Sequence, residues 1–332
     1  MCFKELLSIV CMLPVLQINA QTCCSGGIPL SNNIGLPILE KGSLQIGLHY
    51  DYNNLNTLNN GNDKLDDDAR LRITHSVLLN ANYALTNNLS IEGLFSWVNQ
   101  RRKISQFNNE NLDKTSGIGD AVLLAKYKFP KIMGKNTDLA IGLGTKLPLG
   151  SSTETNDQGI TLNADLQPGS NAWDMVYWSS ISTSFNFRPS FSVSSNIIYR
   201  STGTNTSYFG DSAYKFGNEL QAFIHFSDQF LFYKTIVTPS ISFKYRNANQ
   251  DKVNNFNLDN TGGNWVFVIP NFSISLTPQL SFSLKAELPI YSFVDGTQLT
   301  PTYRLTSGLV FKTSPKPNII SKLPRRKHTR HL

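Results

Sequence analysis

Beyond its first twenty residues the chain has no apolar run approaching the roughly 20 residues that a membrane-spanning helix needs, so a helical membrane protein is excluded. Charge is scarce: 16% of the 332 residues are Asp, Glu, Lys or Arg, against about 25% in globular chains. Ser, Asn and Thr take their place, giving a surface that is polar without being densely ionic. Cysteine is scarcer still. Of the four, Cys2 and Cys11 lie in the N-terminal apolar stretch, which leaves the adjacent Cys23 and Cys24. A bond between neighbours closes a strained ring, so a disulfide framework is excluded. The two are either free thiols or pair with another chain. No Cys-x-x-Cys or His-x-x-x-His spacing supports a zinc site, and neither a metal nor a cofactor is expected.

The N-terminus carries an address. Lys4 precedes the apolar stretch from Leu6 to Leu16, and the small Ala20 closes it. This is the layout of a signal peptide over residues 1–20, cut after Ala20. Ala20-Gln21-Thr22 before Cys23 is no lipobox, so lipidation is not expected.

From residue 43 onward the hydrophobic pattern has period two, the mark of strands with two unlike faces. Leu280, Phe282, Leu284, Ala286, Leu288 and Ile290 alternate with Ser281, Ser283, Lys285, Glu287 and Pro289. Val237, Pro239, Ile241, Phe243 and Tyr245 alternate with Thr238, Ser240, Ser242, Lys244 and Arg246. At 214–226 the apolar face is Tyr214, Phe216, Leu220, Ala222, Ile224 and Phe226. About twelve such segments are present: 43–52, 70–84, 89–103, 117–129, 137–148, 171–185, 190–201, 213–226, 231–247, 262–276, 279–292 and 301–312. Each is long enough to cross a bilayer as a tilted strand, which takes roughly 9–11 residues.

The connections alternate strictly. Long polar stretches at 53–69, 104–116, 149–170, 202–212, 248–261 and 293–300 are interleaved with short ones at 86–88, 130–136, 186–189, 227–230 and 277–278. Outer-membrane barrels sort their connections in this way, with short periplasmic turns and long extracellular loops; a soluble sandwich has no reason to. The expected fold is therefore all-β: a transmembrane, antiparallel up-and-down barrel of about 12 strands. Tyr50, Tyr52, Trp97, Trp173, Tyr177, Tyr199 and Tyr245 fall toward the long loops, and Tyr83, Tyr127, Phe129, Phe185, Phe226 and Phe311 toward the short turns, as two interfacial girdles require.

Residues 43–312 form the barrel in this division. Residues 21–42, rich in Gly, Pro and Ser, are a periplasmic or lumen-plugging segment, and 313–332 a basic, disordered tail. Lys316, Lys322, Arg325, Arg326, Lys327 and Arg330 account for nearly all of the net +7. The positive balance is thus a property of the tail and no sign of nucleic-acid binding.

Alternation also sorts inside from outside. Gln45, His49, Asp51, Arg70, Arg72, Glu92, Asp120, Lys126, Lys128, Lys146, Asp174, Arg200, Lys215, Glu219, Lys244, Arg246, Lys285, Glu287 and Arg304 fall on the polar face. A Lys or Arg against lipid at mid-depth costs roughly 2–4 kcal/mol, which sends these residues to the lumen. The set holds eleven cations and six carboxylates. Such an excess suits a lumen that tolerates anions; the alternative is an interior of satisfied ion pairs. An enzyme would need a nucleophile, base and orienting group within hydrogen-bond reach. His75 falls on the lipid face, with Thr74 and Ser76 on the other, while His49 and His225 stand isolated on inward faces. No catalytic set is expected.

One segment carries a resemblance. Gly117-Ile118-Gly119-Asp120-Ala121-Val122-Leu123-Leu124-Ala125-Lys126-Tyr127-Lys128-Phe129 resembles the Gly-x-Gly-Asp…Lys-Tyr-x-Phe strand of the outer-membrane transporter family labelled meta-pathway of phenol degradation. Cys23-Cys24-Ser25-Gly26-Gly27 is similar to the mature N-terminus of barrels from the Bacteroidota. The resemblance implies a porin-like channel or transporter for small molecules, aromatic or hydrophobic compounds among them. Physically, Gly117 and Gly119 permit a bulge at the barrel rim, and Asp120 then projects inward near Lys146. The expected partners are outer-membrane lipid, a small-molecule solute and the barrel-assembly machinery. The alternative function is a non-conducting structural or surface-interaction barrel, whose loops 53–69, 149–170 and 248–261 bind outside partners.

Overall fold

The computed structural model describes residues 34–106, 109–131, 134 and 136–313. The expected signal peptide, Cys23, Cys24 and the basic tail beyond Thr313 lie outside them. Among the described residues eleven wall strands run in chain order: β1 Leu44–Gly61, β2 Arg70–Ala84, β3 Leu89–Gln106, β4 Ala121–Pro130, β5 Thr137–Leu147, β6 Asp174–Phe185, β7 Arg188–Ser201, β8 Glu219–Ser227, β9 Thr235–Ala248, β10 Gly263–Ser275 and β11 Leu280–Lys312. Each pairs antiparallel with the next, and β1 pairs with β11, so the sheet closes into a barrel with no free edge. β11 is 33 residues long and crosses twice. Its first part pairs with β10, its second with β1, and Lys312 N donates to Gln279 O at 2.8 Å where its ends meet.

The faces separate as period two requires. Leu48, Leu143 and Leu284 are 50%, 52% and 52% exposed, whereas Lys126 and Lys146 are 0% and 1% exposed. Apolar side chains in the open and ammonium groups buried is the inverse of a soluble protein, and it fits a wall with lipid outside.

Four expectations about strands and their connections need correction. Much of the stretch expected as loop 104–116 is strand: Asn109–Ile118 pairs with the upper part of β3 from Trp97 to Gln106. β1 likewise runs on to Gly61, and Asp63–Leu65 folds back on it. Hairpins that stand out of the membrane are wet on both faces, so their sequence shows no alternation to read. The strand expected from 213 begins instead at Glu219. Ser212–Lys215 belongs to a small separate sheet with Asn205–Tyr208, Lys252–Val253 and Phe256–Asn257. At Gly217 the chain passes so close to Asn249 that a Cβ would collide with its carbonyl. Finally, the short turn expected at 227–230 lies further on, at Tyr233 and Lys234, both with positive φ.

The bulge at the rim is present at Gly119–Asp120. Trp97 faces Ile118 but Leu94 faces Val122, so the register slips by one residue there.

Candidate functional site: the barrel interior

The inner face carries two kinds of side chain. The first is an apolar band built from neighbouring strands: Leu78 (β2), Leu94 (β3), Val122 and Leu124 (β4), Val176 and Trp178 (β6), Ile198 (β7), Phe223 (β8), and Trp265, Phe267 and Ile269 (β10). The inner faces of these strands were expected to be polar. The signal was there in β10, where Val266 and Val268 occupy the outer face while Trp265, Phe267 and Ile269 occupy the inner one. A strand apolar on both faces has apolar surroundings on both sides.

The second is a ladder of charges. Asp120 meets Lys146 at 3.0 Å, Lys146 meets Asp174 at 3.0 Å, and Asp174 lies 3.7 Å from Arg200. Arg200 meets Glu219 at 3.0 Å, and Glu219 meets Arg246 at 2.7 Å. Acid and base thus alternate from the rim of β4 across β5, β6, β7 and β8 to β9. Arg246 ends the ladder 4.8 Å above the Trp265 ring. Lys244 pairs with Glu287 at 3.0 Å and stands 4.9 Å from Phe267 and 5.8 Å from Phe223. Lys126 pairs with Glu92 at 2.6 Å and lies 5.6 Å from the Trp178 ring. Placing cations over ring faces lets them share the apolar band, because the ring quadrupole offsets part of the lost hydration.

The remaining expected residues fall as follows. Arg304 reaches both oxygens of Asp51 at 2.8 Å. Lys285 is partly buried among Asp51, Arg304, Glu287 and Lys244. Arg72 pairs with Asp165, a residue of the long loop between β5 and β6. Arg70 pairs with Asp67 at 2.9 Å and stays partly exposed, Lys215 belongs to the small outer sheet, and Lys128 is only partly buried. Setting these three aside leaves eight of the eleven expected cations, and Asp165 raises the carboxylates from six to seven. The positive excess expected from alternation is therefore nearly cancelled.

A chain segment enters the interior from each end. From the long-loop side, the 3-10 turn Ala164–Leu166 enters, and the Leu166 carbonyl accepts from Gln100 and Thr115. Above it Ala164 packs with Tyr208, Tyr214 and Phe216. Tyr214 and Phe216, expected to face lipid, are buried here because Tyr214 belongs to the outer sheet and Phe216 packs against it. From the short-turn side, residues 34–42 run up inside the wall to Ile34, which is buried against the apolar band. Residues 34–38 lie against the inner wall, and 40–42 are exposed at its short-turn rim. Lys126, Lys146, Arg72 and Arg200 are at or below 1% exposure, so the inner wall is tightly packed around these charges.

A serine, a histidine and an amide do come together, contrary to expectation. Ser242 Oγ lies 2.6 Å from His225 Nδ1, and Asn196 Nδ2 lies 3.2 Å from His225 Nε2. They meet because β7, β8 and β9 are adjacent, which distance along the sequence hides. β8 is paired on both sides through all nine of its residues, so its backbone N–H groups are committed to the ladders and offer no oxyanion donors.

Closed antiparallel walls, lipid-compatible outer faces and long loops on one side define an outer-membrane β-barrel. The family model described as "Putative MetA-pathway of phenol degradation" matches residues 69–291, and the chain belongs to this family. It is similar to the crystal structure of an outer membrane channel from Pseudomonas putida F1, with 15% identity, 86% of this chain and 100% of that chain covered, and a TM-score of 0.65. It is also similar to the beta domain of the Bordetella autotransporter Brka, at 10% identity, 82% and 100% coverage, and a TM-score of 0.46. A third similar structure is the Pseudomonas putida toluene transporter TodX, at 8% identity, 88% and 95% coverage, and a TM-score of 0.40. No curated protein matches the sequence.

Proposed function

We propose that this barrel is a passive outer-membrane channel for small solutes with an aromatic or otherwise apolar body. The observation that carries this reading is the inner band of Trp178, Phe223, Trp265, Phe267 and Ile269. A lumen kept for water and simple ions gains nothing from burying such groups. An apolar solute gains from each of them by leaving water, at roughly 25 cal/mol per Å² of apolar surface. Export by residues 1–20 and insertion by the barrel-assembly machinery go with this reading, as does contact of the outer faces with outer-membrane lipid. Proteoliposomes test it. Uptake of a small phenol or arene should exceed that of a sugar of equal size, and Trp265→Ala with Phe267→Ala should reduce the preference. Equal uptake of both solutes would overturn the substrate class.

A second reading is a structural or surface-interaction barrel that does not conduct. It is favoured by the mutual pairing of the inner charges, which stiffens a closed interior. Absence of single-channel conductance under every voltage and pH tried would select it.

A further inference from the structure

Residues 34–38 are held by a set of side chains that treat them as a bound peptide. The Glu92 carboxylate accepts from Gly35 N at 3.0 and 3.2 Å and from Leu36 N at 3.0 Å. Lys126 Nζ, paired with Glu92, donates to the Leu36 carbonyl. Asn82 Nδ2 donates to the Pro37 carbonyl at 3.0 Å. These contacts are to backbone atoms, and they come from three adjacent wall strands, β2, β3 and β4. Two successive N–H groups converging on one carboxylate, with the next carbonyls taken by an ammonium and an amide, is the way a protein reads an extended peptide.

The side chains of the segment say the same. Ile34 is buried in the apolar band, and Gly35 lies flat on Trp178 with φ +88°, where a Cβ would collide with the indole. The wall does not need this segment to close, because β1 begins only at Leu44 and the ring is complete without it. Yet the segment occupies part of the lower interior, beside Trp178 and Lys126.

We propose that Glu92, Lys126 and Asn82 form a peptide clamp on the inner wall that holds residues 34–38 as a releasable strap, and that passage through the barrel requires the strap to leave. This rests on the channel reading above. The wall stays intact on release because Glu92 and Lys126 keep each other as partners, so neither buried charge is left alone. Release costs a few hydrogen bonds and the burial of two isoleucines, Ile34 and Ile38, which is a small barrier beside unfolding a strand pair.

Single-channel recording on the full barrel tests the strap with two variants. Gly35→Val cannot adopt the backbone or avoid Trp178, and deletion of residues 34–41 removes the strap outright. Both should fold, shown by faster gel mobility before boiling than after, and both should conduct several-fold more than the unaltered protein. Adding a peptide with the sequence of residues 34–42 should return the deletion variant to the lower level, while the same peptide carrying valine for Gly35 should not. Conduction by the unaltered protein that neither variant raises would overturn the strap and leave the channel reading standing. Silence of all three proteins would overturn both. Failure of both variants to fold would overturn release, because the strap would then be part of the wall's own stability.

Discussion

Arg72 on β2 and Asp165 on the loop between β5 and β6 are 93 residues apart in sequence and meet at 2.9 Å inside the barrel. Arg72 also donates to the side chain of Gln100 and to the Asp165 carbonyl. A loop that belongs to the outside is thereby anchored to the inner wall, and the extracellular mouth is covered. Asp165→Asn keeps the shape but strips a buried guanidinium of its counter-charge. The expected cost is about 3–5 kcal/mol of stability, measured by urea unfolding in detergent. Residues 149–170 should also become sensitive to protease. An unchanged unfolding midpoint with an intact loop would show that the pair does not hold the cap.

The outer sheet carries a pH-dependent contact. Asp251 accepts from Tyr214 Oη at 2.5 Å and from Gly217 N at 2.7 Å. Burial, reinforced by the charge of Asp165, pushes its carboxyl up to about 6 despite these donors and Arg200. The folded value lies above the usual carboxylate value near 4, so folding favours the protonated form. The contribution to stability is therefore fully present below about pH 4 and is lost as pH rises past about 6. Amide hydrogens of 205–215 and 252–257, corrected for intrinsic exchange, should be better protected near pH 5 than near pH 7.5. Asp251→Asn should remove that difference; persistence of the difference would place the titrating group elsewhere.

Lys244 and Glu287 pair at 3.0 Å on the inner face. Lys244→Met alone should cost about 3–5 kcal/mol, because Glu287 is left buried without its partner. Lys244→Met combined with Glu287→Leu should recover most of the loss. Joint replacement of Lys244, Arg246 and Lys285 by Gln is likewise expected to lower the thermal midpoint, since Glu219 and Glu287 lose partners. If instead it shifted ion preference with the midpoint unchanged, the interior charges would be acting on permeant ions rather than on each other.

Leu143 faces outward in the middle of β5 and is half exposed in the isolated chain. Leu143→Arg should lower folding stability in lipid vesicles by roughly 2–4 kcal/mol, the depth-dependent cost of a cation against lipid. Leu143→Phe should be near neutral. The pair checks the register, because a slip by one residue would turn this position inward and reverse the two results.

Much of the barrel is legible in the alternation of neighbouring residues. Leu284 outward and Lys285 inward follow from period two alone, as do Glu92, Lys126, Lys146 and Glu219 on the inner face. The bulge at Gly119–Asp120 was readable for a local reason too, since glycine marks a place where the ladder can slip. What was not readable depended on pairing across distance. Asp165 lies in a polar loop with no periodicity, and only the return of that loop into the barrel brings it to Arg72. Tyr214 and Phe216 look like a continuation of β8, and only the close approach at Gly217 turns them away into the cluster of the outer sheet. Ser242, His225 and Asn196 become neighbours through the order of strands in the wall. A strand's two faces are set within a few residues, because one side meets lipid and the other does not. Which charges meet, and what fills the interior, is settled only when the ring closes and buried polar groups must find partners wherever the chain has brought them.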